Sequence, residues 1–154
     1  MRIAIGSDHA GFMYKGVLTK ALAEKGIDAI DLGTYSQLPT DYPDHAADVA
    51  NAILAGKADR GILICGSAVG VSIAANKFRG IRAGVCHDTY SAHQCVEHDD
   101  VNILCLGQRV IGIELACDIM FTFLNATFTH EARHVKRLQK IAAIEDKNMK
   151  GDLV

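Results

Sequence analysis

No stretch of this sequence approaches the roughly 18 consecutive apolar residues of a membrane span. Positive charge is not in excess either. The 16 Lys and Arg are outnumbered by 18 Asp and Glu, giving a net charge of −2 and a pI near 6.4. Neither membrane nor nucleic acid is therefore an expected partner. Internal repeats, low-complexity tracts and linker-like stretches are missing, so residues 1–154 are expected to form one domain with a substantial core.

Several chemical signatures are missing too. Gly70 is not followed by Lys, which excludes a Walker phosphate loop, and no G-x-G-x-x-G dinucleotide pattern occurs. A cysteine phosphatase would need Arg at position 71, where Val71 stands. No His-Glu-x-x-His and no paired Cys/His spacing points to zinc, and His87, His93 and His98 are strung along one helix and its flanks. Neither metal nor cofactor is expected.

The five cysteines (Cys65, Cys86, Cys95, Cys105, Cys117) contain no C-x-x-C pair and are odd in number, as free thiols of a reducing compartment are. Met1-Arg2-Ile3-Ala4-Ile5-Gly6 reads as a strand rather than an export leader, so a cytoplasmic location is expected. Four of the thiols read as small packing residues. Only Cys65 stands beside glycines.

What is present is a regular alternation. Short apolar runs at 2–6, 27–32, 61–65, 81–86 and 102–106 read as buried parallel strands. Helical stretches lie near 11–25, 43–56, 70–77 and 88–97, and two more follow near 112–125 and 131–147. Gly26 and Gly56 stand where helices end, and Pro43 where one begins. The expectation is an α/β protein: a three-layer, Rossmann-like α/β/α sandwich on a five-stranded parallel sheet. The tail 148–154 is expected to fray.

The most informative segment is 61–77. Ile62-Leu63-Ile64 ends at Cys65, a Gly66-Ser67-Ala68-Val69-Gly70 turn follows, and then a small-residue helix. In an α/β fold this is the carboxyl end of a central strand, where ligands bind. A helix N-terminus there favours an anion and a reactive thiolate. Asp8 and His9 follow the first strand at the same edge, either as a helix cap and its neighbour or as functional groups. Tyr42 sits in a turn, available to a sugar hydroxyl. His98 is either a helix-end residue or a proton shuttle. Arg109 follows the fifth strand. Arg133 and Arg137, four apart on the last helix, form a solvated face or a clamp for a phosphate dianion.

Gly6-Ser7-Asp8-His9-Ala10-Gly11, Asp41-Tyr42-Pro43-Asp44, Ile64-Cys65-Gly66-Ser67, Ser72 to Lys77 and Gly80-Ile81-Arg82-Ala83 resemble the type B ribose-5-phosphate isomerases. So do Asn102-Ile103-Leu104, Leu106-Gly107-Gln108-Arg109 and Glu131-Ala132-Arg133-His134. The resemblance, spanning residues 2 to about 146, also takes in allose 6-phosphate and galactose 6-phosphate isomerases. It implies an aldose–ketose isomerase working through an enediolate without metal or cofactor.

Cys65 would then move the proton between C1 and C2, and Ser67 with the amides from Gly66 to Gly70 would hold the oxyanion. His98 assisted by Asp8 would open the sugar ring. His9, Arg109, Arg133 and Arg137 would bind phosphate, with Tyr42 on the sugar. The resemblance further implies a dimer or tetramer whose last-helix arginines enter the neighbouring site. Ala68 stands where those isomerases usually have Gly, and Asp99 where they have Asn, an amide able to donate to an enediolate oxygen. An isomerase of a six-carbon sugar phosphate and a non-catalytic phosphometabolite-binding module are the alternatives.

Overall fold

The structure is a computed structural model describing residues 1–149. Its strands are β1 (Arg2–Ser7), β2 (Asp28–Asp31), β3 (Arg60–Cys65), β4 (Ala83–Val85) and β5 (Ile103–Gly107). Helices α1 (Phe12–Glu24), α2 (Tyr42–Leu54), α3 (Val69–Ala75) and α4 (Thr89–Asp99) connect them, and α5 (Ile113–Asn125) and α6 (Ala132–Asn148) follow. Of the tail expected to fray, Asn148 still belongs to α6, and 150–154 lie outside the described residues.

Every strand pair is parallel, in the order β2-β1-β3-β5-β4. Side chains alternate between faces along a strand, so a continuous apolar run serves a sheet covered on both sides. Ile3, Ile5, Ile62, Ile64, Leu104 and Leu106 pack on one face with Leu18, Leu22, Val96, Ile119 and Phe123 from α1, α4 and α5. Ala4, Leu63, Cys65, Ile103 and Cys105 point to the other, against Ala46, Val49, Val71 and Ala75 of α2 and α3. The three-layer α/β/α sandwich is as expected.

Two strands depart from the expected burial. β2 and β4 are the sheet edges, partly exposed, and β4 is only three residues long. Before β4 the Asn102 side chain does part of a ladder's work: its Oδ1 accepts the Arg82 N–H at 2.8 Å and its Nδ2 donates to the Gly80 carbonyl at 2.9 Å. Gly26 and Gly56 do follow helix ends, both at φ near +70° (69° and 68°), a conformation costly for residues with a Cβ. Helix α6 buries only His134, while Ile141 and Ile144 stand 45% and 64% exposed. Among the described residues no helix is long and apolar enough to cross a membrane.

Candidate active site

Strand order reverses between β1 and β3, and in open α/β sheets the crevice at that reversal is the ligand site. The carboxyl ends of these two strands deliver Asp8-His9 and Cys65-Gly66-Ser67 to one cavity of about 340 Å³. Tyr42 from the start of α2, Gly70 from α3 and Arg109 from beyond β5 complete its lining. Eight of the residues singled out in the sequence therefore meet in one place.

Cys65 points to the α2–α3 side and is 5% exposed. Its Sγ accepts the backbone N–H of Ala68 at 3.1 Å, the kind of donor that supports a thiolate. Ala68 makes this contact from the left-handed region, at φ 72°, and is fully buried. The Val69 N–H turns to Ser67 Oγ at 3.4 Å, so two amides of the turn are engaged within it. Beside the turn, the N–H groups of Gln108 and Arg109 donate to the Cys65 and Gly66 carbonyls at 2.9 and 3.0 Å. This extends the β3–β5 ladder and lays the Arg109 side chain across Gly66.

Asp8 is not the cap of α1, a position taken by Gly11 without a side-chain hydrogen bond. Its Oδ1 accepts the N–H groups of Ala10 and Gly11 at 2.9 and 3.0 Å, shaping the entry to α1, while the residue also lines the cavity. The His9 Nδ1 lies 3.2 Å from the Thr40 nitrogen and 3.3 Å from the Thr40 oxygen. When Nδ1 accepts the Thr40 N–H, the ring carries its proton on Nε2, which is then a donor toward the cavity.

Thr40 is itself tied through Oγ1 to His45 Nε2 at 2.9 Å. On sequence grounds Thr40 is only part of the turn before Tyr42, and His45 has no assigned role. Their signal is a hydroxyl just before the helix start and an imidazole on that helix's first turn. His87 was also set aside, yet its Nε2 accepts the Gly107 N–H at 3.2 Å, next to the Cys65 turn. Tyr42 leans on Gly70 so closely that a Cβ there would lie 2.8 Å from the ring.

The other four candidates gather at the opposite edge. Helix α4 runs from the end of β4 back to the start of β5, so its last residues lie at the amino edge of the sheet. That edge is on the order of 15 Å from Cys65, the height of a five-residue strand. His98, expected beyond the helix, is part of its last turn. Its Nδ1 meets Gln94 Nε2 at 2.9 Å, and its ring lies 4.2 Å from that of His134. Arg133 and Arg137 are exposed on the first turns of α6, with Arg133 Nε donating to Glu131 at 2.8 Å. Asp99 lines a separate groove with Arg82, Ile141 and Glu145. Within one chain, Asp8 and His98 do not meet.

Residues 3–141 match the family model described as Ribose/Galactose Isomerase. The chain is 49% identical over 146 residues to ribose-5-phosphate isomerase B of Escherichia coli, covering 95% of this chain and 97% of that relative. Its fold superposes on a Clostridium thermocellum ribose-5-phosphate isomerase B with a TM-score of 0.93 at 49% identity, covering 96% and 99% of the two chains. A Mycoplasma genitalium ribose-5-phosphate isomerase B with bound ribulose-5-phosphate gives a TM-score of 0.89 at 37% identity, covering 96% and 97%. The motifs, the cavity at the β1/β3 reversal and these matches agree: this chain belongs to the ribose/galactose isomerase family.

Proposed function

We propose that this protein interconverts ribose 5-phosphate and ribulose 5-phosphate, as a step of the pentose phosphate pathway in the cytoplasm. One observation carries the reading: a buried thiol supported by a backbone N–H shares a cavity with a carboxylate, an imidazole and a guanidinium. An aldose and its ketose differ by the position of a hydrogen between C1 and C2, so the reaction needs a base that removes a proton from one carbon and returns it to the other. Cys65, as thiolate, takes that role. Ser67 and the turn amides not already bonded within it hold the oxygen on which charge develops. Arg109 and the His9 Nε2–H hold the phosphate, and Tyr42 walls the sugar.

The half-buried His98 and Asp99 and the exposed Arg133 and Arg137 complete the site from a second copy. A two-fold axis that brings the amino edge of one subunit to the carboxyl edge of another forms two equal sites at once. The apolar side chains exposed on α6 suit that contact. The partner's His98 then opens the furanose, and the partner's Arg133 and Arg137 neutralise the phosphate dianion beside Arg109.

The test is to incubate the protein with ribose 5-phosphate, allose 6-phosphate and galactose 6-phosphate in turn and follow ketose formation. Turnover of ribose 5-phosphate should dominate, and Cys65→Ala should lower kcat by roughly 10²- to 10⁴-fold while leaving binding intact. Faster turnover of a six-carbon sugar would reassign the substrate. Ligand binding without turnover of any of the three would make this a binding module.

A further inference from the structure

The five thiols do not share one environment. Cys65 receives the Ala68 N–H in the cavity, and Cys105 is fully buried within β5. Cys86 and Cys95 face each other, with sulfurs 3.8 Å apart and the Cys86 S–H directed at Cys95 Sγ. Cys86 follows β4 directly and is 2% exposed, while Cys95 sits half-buried on α4, reachable from solvent. The Cys95 S–H is in turn directed at the Ala92 carbonyl at 3.4 Å.

We propose that Cys86 and Cys95 form a dithiol site that reacts with small-molecule disulfides, closing a reversible bridge between the exit of β4 and helix α4. The contact separates the two roles such a site needs. The hydrogen bond from Cys86 pushes the Cys95 thiol down, whereas that same pairing, with burial, pushes Cys86 up. Nucleophilic character thus falls on the reachable sulfur, and the buried one waits to resolve.

Cys95 thiolate attacks one sulfur of R–S–S–R, its S–S bond breaks, and R–S⁻ leaves with a mixed disulfide on Cys95. Cys86 gives up its proton to the departed thiolate, and its sulfur attacks Cys95 Sγ and expels the second R–S⁻, which takes up the proton Cys95 had released. The protein loses two electrons and two protons, and the small disulfide gains them as two thiols. The sulfurs must close from 3.8 Å to about 2.05 Å. The three-residue edge strand β4, paired on one side only, is the element best able to yield that distance.

Oxidised glutathione is the probe, applied to the full chain, with remaining thiols then blocked by N-ethylmaleimide. Cleavage after Tyr90 and Glu97 separates Cys86, Cys95 and Cys105 into different peptides, so the bridge can be located by mass. Expected is a loss of two titratable thiols, a crosslink joining the Cys86 and Cys95 peptides, and its full reversal by dithiothreitol. Cys95→Ala should abolish the crosslink without adduct at Cys86, and Cys86→Ala should leave glutathione stranded on Cys95. A stable glutathione adduct on wild-type Cys95, a crosslink through another cysteine, or maleimide on both residues after oxidation would overturn the proposal. These readouts are masses, independent of the isomerase reading.

Discussion

The backbone N–H of Ala68 donates to the Cys65 sulfur at 3.1 Å from a residue held at φ 72°. A left-handed conformation costs an L-residue roughly 1–2 kcal/mol, which is why Gly is expected there. Glycine would recover that cost but lose about 0.5–1 kcal/mol to chain entropy and about 0.8 kcal/mol from the buried methyl. These terms nearly cancel. Ala68→Gly should therefore leave the urea midpoint almost unmoved and kcat within a few-fold of wild type. Ala68→Val, β-branched and larger at a fully buried site, should destabilise by about 2 kcal/mol or more. Equal midpoints for Gly and Val variants would show that the turn does not constrain this residue.

The division of the candidates between two sheet edges gives a prediction that needs no ligand structure. Cys65 is at the carboxyl edge, Arg133 and Arg137 at the amino edge. If two copies share each site, Cys65→Ala and Arg133→Ala/Arg137→Ala should complement each other. Mixed dimers carry one site with both lesions and one with neither. An equal mixture after subunit exchange should recover about a quarter of wild-type activity, since half the dimers are mixed and one of two sites in each is intact. Exchange is checked by native mass spectrometry. A mixture that exchanges and stays inactive places the arginines outside the partner's site.

Why the first half of the site was readable and the second was not follows from how each is built. Asp8, His9, Cys65 and Ser67 sit directly after two central strands, so their shared edge follows from chain direction alone once the apolar runs are read as parallel strands. Thr40, His45 and His87 carry no such mark. Thr40 matters through His9, His45 through Thr40 and His87 through a backbone N–H, and three-dimensional proximity of loops leaves little trace in spacing. The edge strands misled for a related reason. Apolar residues at 27–32 and 81–86 resemble those of central strands, and only the order of pairing decides which strands lie outermost. The helical stretch expected over 88–97 leaves His98 just outside it. The helix instead runs through Asp99 and ends at Asp100, which takes a left-handed φ of 48°.

Tyr42 and Gly70 form a coupled wall of the cavity. A methyl on Gly70 would come within 2.8 Å of the ring, which is 42% exposed and has room to swing outward. Gly70→Ala should thus cost little stability, under about 1.5 kcal/mol, yet lower kcat/KM by about tenfold or more because the sugar loses its wall. In a Tyr42→Ala background the same substitution should have almost no further effect on kcat/KM. Additive losses in the double variant would mean that the methyl acts on the turn rather than through the ring.

His134 gives the amino edge a pH dependence whose sign can be worked out. Thr129 Oγ1 donates to the Glu97 carbonyl at 3.2 Å, so it accepts from His134 Nδ1–H at 2.8 Å, which leaves Nε2 bare. That nitrogen is buried with no partner among the described residues. Protonating it would create a buried N–H without an acceptor, facing the His98 ring and near Arg133 and Arg137. Burial first, then His98 and Arg133, hold His134 below the ordinary histidine range, with Glu131 opposing and Arg137 adding slightly. A histidine whose folded value is depressed binds its proton more readily when unfolded. Its contribution is complete above the unfolded value of about 6.5 and is lost as pH falls from there toward the folded value. The wild-type Tm should therefore drop between pH 7.5 and 5.5 more steeply than that of His134→Gln, which keeps a donor for Thr129 and does not titrate. At pH 7.5 the variant should be the less stable of the two, having lost the packing of an imidazole against His98. Parallel Tm profiles for the two proteins would remove His134 from the acid response.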